Sequence, residues 1–108
     1  MQKKISLSDK YEKREGKIFL TGIQALVRLP LIQKDLDAQN NLNTGGFISG
    51  YKGSPLGGYD LELSKAQKYL DEKNIFHQTG LNEELGATAV WGAQQGEFKQ
   101  RGKKDGVF

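Results

Sequence analysis

The order of apolar runs along this chain predicts an α/β fold with a mostly parallel sheet flanked by helices. Short strand-like runs at Ile18–Leu20, Gly46–Gly50, Ile75–His77 and Asp105–Phe108 alternate with longer stretches of helical spacing. Strands separated by helical crossovers lie side by side in parallel. Glycine-rich or capping segments come directly after two of the runs, at Gly50–Gly58 and Thr79–Leu85. In such a sheet the loops beyond the strands' carboxyl ends bind ligands. At 108 residues the chain holds at most one domain, hiding roughly 65% of its unfolded surface.

Met1–Gly16 is polar and aperiodic, and reads as an N-terminal arm that packs on another surface. Residues 17–108 read as the opening of a domain. Ile18-Phe19-Leu20 is compatible with a brief strand. Thr21 is a good helix N-cap, and Ile23, Leu26, Val27, Leu31 and Leu36 recur after it at near-helical spacing. Pro30 removes a backbone donor within that pattern, so the helix over Gly22–Asp37 is predicted to kink there. Gln39–Gly45 is an Asn- and Gly-rich loop.

Gly46–Gly50 reads as a buried strand and Tyr51–Gly58 as a loop. From Tyr59 the apolar residues Tyr59, Leu63, Ala66 and Leu70 share one helix face, while Lys65, Lys68 and Asp71 fall toward the other. That helix is expected to end near Asn74. Ile75-Phe76-His77 is a second short strand, closed by a turn at Thr79-Gly80. Asn82 or Thr79 caps a helix running through Glu97, with Leu85, Ala89 and Gly96 on a stripe that also takes in Gly92 or Ala93. Small residues there permit close backbone approach at some cost in helix propensity. Asp105–Phe108 begins another strand with no cap behind it, so the domain is expected to be truncated at this end.

The composition narrows the function classes. No cysteine is present, which removes disulfides, thiolate zinc, iron–sulfur ligation and a cysteine nucleophile from this chain. Its absence fits a reducing compartment. The net charge of +3 invites a nucleic-acid role. Its lysines and arginines are interleaved with acids, however, and no aromatic–Arg platform accompanies them. The tail Lys99, Arg101, Lys103, Lys104 reads as a solvated turn. Met1–Gly16 has no apolar core of signal-peptide length, and no run approaches membrane-spanning length. A cytoplasmic protein acting without nucleic acid or membrane is expected.

Gly50–Gly58 matches neither the Walker phosphate loop nor the dinucleotide fingerprint. Gly53 permits backbone geometry closed to other residues, and Pro55 stiffens the loop beyond it. Ser54 then offers a hydroxyl and an amide near a helix N-terminus, a cradle for a small anion such as a substrate carboxylate. A plain strand-to-helix connection explains the composition slightly better. Glu83 and Glu84 ordinarily serve to complement a helix dipole. In a closed apolar site, one of them could share a proton with a ring nitrogen. His77, the only histidine, has no companion at metal-ligand spacing and reads as a strand or surface residue. Trp91 reads as a core or interface anchor. Arg28 is either a solvated charge or an anion contact.

Phe19–Leu31 (FLTGIQALVRLPL), Gly46–Gly58 (GFISGYKGSPLGG) and Asn82–Gln94 (NEELGATAVWGAQ) resemble, in order, the N-terminus of the long, fused bacterial indolepyruvate ferredoxin oxidoreductases. These belong to the 2-oxoacid:ferredoxin oxidoreductases. The likeness covers nearly all of the chain after the first dozen residues, and Gly-Ser-Pro-Leu-Gly-Gly is its most specific block. It implies the pyrimidine-binding domain of a thiamine diphosphate fold. It also implies oxidative decarboxylation of an aryl 2-oxoacid to an acyl-coenzyme A, with electrons passed through 4Fe-4S clusters to ferredoxin.

By the same resemblance Glu83, directly after Asn82, matches the glutamate that hydrogen-bonds the aminopyrimidine ring. That contact favours the imino tautomer that takes the thiazolium proton. Ser54 matches a hydroxyl near the substrate carboxylate, with Gly53 and Pro55 shaping the loop. Lys52 stands where Arg is often found and Gly86 where Ala is common, and Gly96–Lys104 departs from the usual connection. No Gly-Asp-Gly with a downstream Asn exists here for the diphosphate and Mg2+, which the family carries on a separate domain. The chain alone is therefore expected to be inactive and to work with further domains or subunits in an oligomer. The alternative from another class is a stand-alone α/β module binding an anionic metabolite through Gly50–Gly58 and Arg28.

Overall fold

Thr44–Gly50 forms β1, the centre of an open sheet in a computed structural model that describes residues 4–96 and 102–108. Ile75–Thr79 (β2) and Gly106–Val107 (β3) flank it, both parallel to it, in the order β2-β1-β3. The helices are α1 (Asp9–Glu12), α2 (Gly22–Gln39), α3 (Gly57–Lys65), α4 (Gln67–Glu72) and α5 (Glu83–Gln94). The α/β class and the parallel sheet expected from the alternation are thus present.

The register Gly46↔Ile75, Ile48↔His77 and Gly50↔Thr79 sorts the side chains by face, because successive residues of a strand point to opposite sides. One face carries Ile48, Ile75, His77 and Thr79. Val27 and Leu31 of α2, Leu63 of α3, Ala66 between α3 and α4, and Leu70 of α4 pack against it. The opposite face carries Phe47, Ser49, Phe76 and Gln78. There Phe47 stacks on Phe76 at 5.7 Å between ring centroids, and α5 is the helix that touches β1. Gly86 of α5 lies against Ser49, whose Oγ would be 3.5 Å from an added Cβ.

Thr21 caps α2 as expected and does so in a full capping box: Gln24 N donates to its hydroxyl, and Thr21 N donates to the Gln24 side chain. Pro30 does not interrupt this helix. Proline leaves the carbonyl of residue 26 without its usual donor, and the Tyr59 hydroxyl donates to that Leu26 carbonyl at 3.4 Å. The tertiary contact meets the need the proline creates.

Several expectations are corrected. Ile18–Leu20 forms no strand: its backbone pairs with no strand of the sheet, and Phe19 is 95% exposed. The helix expected from Tyr59 to Asn74 is two helices meeting at Ala66, whose amide is shared between the Glu62 and Leu63 carbonyls. The tightening seats both Leu63 and Leu70 in the core. Tyr11 of α1 is buried, packs on Tyr69 and donates to Glu62 Oε1 at 3.0 Å. Asn82, rather than Thr79, caps α5, which ends at Gln94; the expected end at Glu97 lies outside the described residues. So do Lys99 and Arg101 of the basic tail.

Candidate functional site

The carboxyl ends of β1 and β2 open into a cleft of about 800 Å³. Three pieces of chain build it. Ser49, Gly50 and Tyr51 come from the end of β1, Ser54–Leu56 from the loop after it, and Asn82, Glu83 and one side of α5 from the region after β2. The sheet topology forces this convergence, since adjacent parallel strands end on the same edge.

The loop is held by its own hydrogen bonds. Ser54 N donates to the Tyr51 carbonyl, Leu56 N to Ser54 Oγ at 3.0 Å, and Gly57 N to the Ser54 carbonyl at 2.9 Å. The Ser54 amide is therefore engaged, and its hydroxyl proton is what it can offer a ligand. Pro55 lies beside it on the cleft wall. Gly53 is not in the left-handed region. The glycine this loop requires is Gly57, where a Cβ would sit 2.5 Å from the Lys52 carbonyl oxygen.

Glu83 is the first residue of α5, placed there by the Asn82 cap: Leu85 N donates to Asn82 Oδ1 at 2.9 Å. A carboxylate at this position complements the helix dipole. Tyr51 reaches across and donates its hydroxyl proton to Glu83 Oε1 at 2.7 Å. That bond, first, and burial, second, push the Tyr51 phenol above its ordinary pKa. Glu84, one residue on, does not line the cleft. Tyr51 is a cleft-lining residue that the motifs alone do not single out, although an aromatic hydroxyl directly after a strand is the signal that could find it.

The sheet's opposite face holds a second polar group beneath this edge. His77 Nε2 lies 2.9 Å from Asp60 Oδ1, and both side chains are only 3% exposed. Thr79 Oγ1 donates to the same carboxylate. His77 is thus a strand residue, the first of the two expectations, with its side chain buried against Asp60 of α3. Its i+2 spacing to Thr79 places the two on one strand face, but nothing in the sequence points to Asp60.

Trp91 is 66% exposed and walls the cleft instead of filling a core. Arg28 turns away from the site. Its guanidinium donates to the Lys10 and Lys13 carbonyls of the arm, so the pairing of Arg28 with Gly50–Gly58 is not assembled. Among the described residues, no cluster of His, Asp and Glu could hold a metal ion, and no helix is long and apolar enough to cross a membrane.

Comparison of the chain with known protein families, with curated proteins and with solved structures finds no match.

Of the groups that one half of a thiamine diphosphate site would need, the cleft offers a glutamate at a helix head beside an apolar wall of Ala87, Val90 and Trp91. The other half is not supplied by the described residues: the cleft has no carboxylate cluster for Mg2+. The chain has no thiolate for an iron–sulfur cluster.

Proposed function

We propose that this chain contributes the aminopyrimidine side of the cofactor site in a thiamine diphosphate-dependent 2-oxoacid:ferredoxin oxidoreductase of the indolepyruvate type. The observation that supports this best is Glu83 at the head of α5, held by Tyr51 and sharing one cleft with Ser54. The bound cofactor would supply the carbon nucleophile for decarboxylation.

The roles of this chain's residues come from their positions. Glu83 has one carboxylate oxygen fixed by Tyr51, which leaves the other for a protonated ring nitrogen. The Ser54 hydroxyl, on the facing loop, can donate to a substrate carboxylate. Trp91, Val90 and Leu56 line the same cleft with apolar surface. The diphosphate, Mg2+, 4Fe-4S clusters, coenzyme A and ferredoxin would engage other domains or subunits, and cytoplasmic assembly into an oligomer belongs to the same proposal.

The test is Glu83→Gln in the oxidoreductase that carries this segment, with Glu84→Gln beside it. Removing a proton-sharing carboxylate while keeping its shape should lower kcat by about 100-fold or more, with folding intact by circular dichroism. Glu84→Gln should stay near the parent. Normal turnover in Glu83→Gln would move the role elsewhere. The isolated chain should show no 2-oxoacid-dependent dye reduction.

A further inference from the structure

We infer that the groove between the N-terminal arm and the start of α2 is a docking site for an extended acidic peptide segment of a partner protein, one with apolar side chains at alternate positions. The groove holds about 590 Å³ and lies apart from the cleft lined by Glu83 and Ser54. Its existence does not depend on the chemistry proposed there.

Three observations set the ligand's chemistry. The first is apolar exposure. Ile5 and Leu7 are 90% exposed and Phe19 95%, although all three border one concavity. Large apolar side chains gathered this way mark an interaction site rather than scattered surface residues.

The second is charge. Lys10, Lys13 and Lys17 ring the groove against Asp9 as its single acid. Asp9 is already engaged, accepting from Ser6 N at 3.3 Å. Lys13 Nζ donates to the Lys17 carbonyl at 3.2 Å. Among the described residues, none of the three lysines has a carboxylate within ion-pair distance. The complementary partner is acidic.

The third observation chooses between a peptide and a membrane. Ile18, Phe19 and Leu20 form no regular structure, and their amides have no hydrogen-bond partner among the described residues. A bilayer would strip water from these amides and give nothing back. An extended peptide can pair with them along its main chain and send alternate side chains into the groove.

The experiment is fluorescence anisotropy of a labelled peptide of about eight residues alternating Glu and Leu, titrated with the full 108-residue chain. Saturable binding should weaken by about tenfold from low to high salt. Lys13→Glu with Lys17→Glu should weaken it by at least as much, and Phe19→Ser should abolish it. Lys17 and Phe19 are exposed and Lys13 is partly so, and none belongs to the core, so the variants should retain the parent's circular dichroism. Equal binding of an alternating Lys–Leu peptide, or no saturable binding, would overturn the proposal. So would preferential binding to phosphatidylserine vesicles, or self-association removed by Phe19→Ser, each of which assigns the groove a different occupant.

Discussion

The two faces of the β1–β2 pair are built from the same strands and treated in opposite ways. Beneath one, α2, α3 and α4 close a core of Val27, Leu31, Leu63, Ala66, Leu70 and Ile75, each almost fully buried. Over the other, α5 meets β1 beside Ser49, while Phe76 and Trp91 remain largely exposed. The closed face generates stability. The open face and the adjoining sheet edge carry the candidate chemistry, because a cleft needs walls that are not consumed by packing. Even the polar groups divide this way. Asp60 and His77 pair in the closed layer, with the exposed Thr79 donating to the same carboxylate, whereas Tyr51 and Glu83 bond at the accessible edge.

Substitutions on the two faces should therefore differ sharply in cost. The largest loss is expected from Asp60→Ala, which leaves His77 buried without its partner and frees Thr79 as well. Taking the shared acceptor from the buried His77 and from Thr79 should cost about 3 kcal/mol or more, to be read from urea unfolding. A loss below about 1 kcal/mol would show that water reaches the group and that the closed face is not dry. Leu63→Ala should come next, at about 3 kcal/mol from lost burial and the cavity left behind.

Acid should act through the closed side too. Burial raises the Asp35 carboxyl, but hydrogen bonds from Lys73 and Arg14 outweigh it and hold the group below its ordinary range. Burial likewise raises Glu62, and donors Tyr11 and Gln24 reverse that. For a carboxyl depressed in the folded state, the contribution to stability is full above the unfolded pKa of about 4. It is lost as pH falls through the lower folded value. Asp35→Asn with Glu62→Gln should flatten the acid limb of a stability–pH profile, and an unchanged limb would assign acid sensitivity to other groups. The smallest effect belongs to the open face: Trp91→Ala should change unfolding free energy by within about 0.5 kcal/mol. A larger loss would mean that α5 is buried in solution, by self-association or otherwise.

Much of this organisation is legible from residue pattern. Thr21 and Asn82 are identifiable as caps because their side-chain oxygens satisfy amides a few residues ahead. β1, β2 and the parallel order are readable from short apolar runs alternating with helical spacing. The placement of Ser54 and Glu83 at one sheet edge comes from the same topology, since both segments lie directly after parallel strands.

The features that escape the sequence share a single cause. Tyr59 meeting the carbonyl orphaned by Pro30, Tyr51 reaching Glu83, Arg28 binding the arm, and Asp60 meeting His77 are all contacts between distant segments. The choice of Gly57 over Gly53 as the required glycine arises from the path of Lys52. Local sequence determined β1, β2 and the capped starts of α2 and α5, because capping and periodicity act over a few residues. Only the tertiary structure decided which polar groups are buried together, which face of the sheet is closed and which glycine has no room for a side chain. Those outcomes depend on distances that no local pattern encodes.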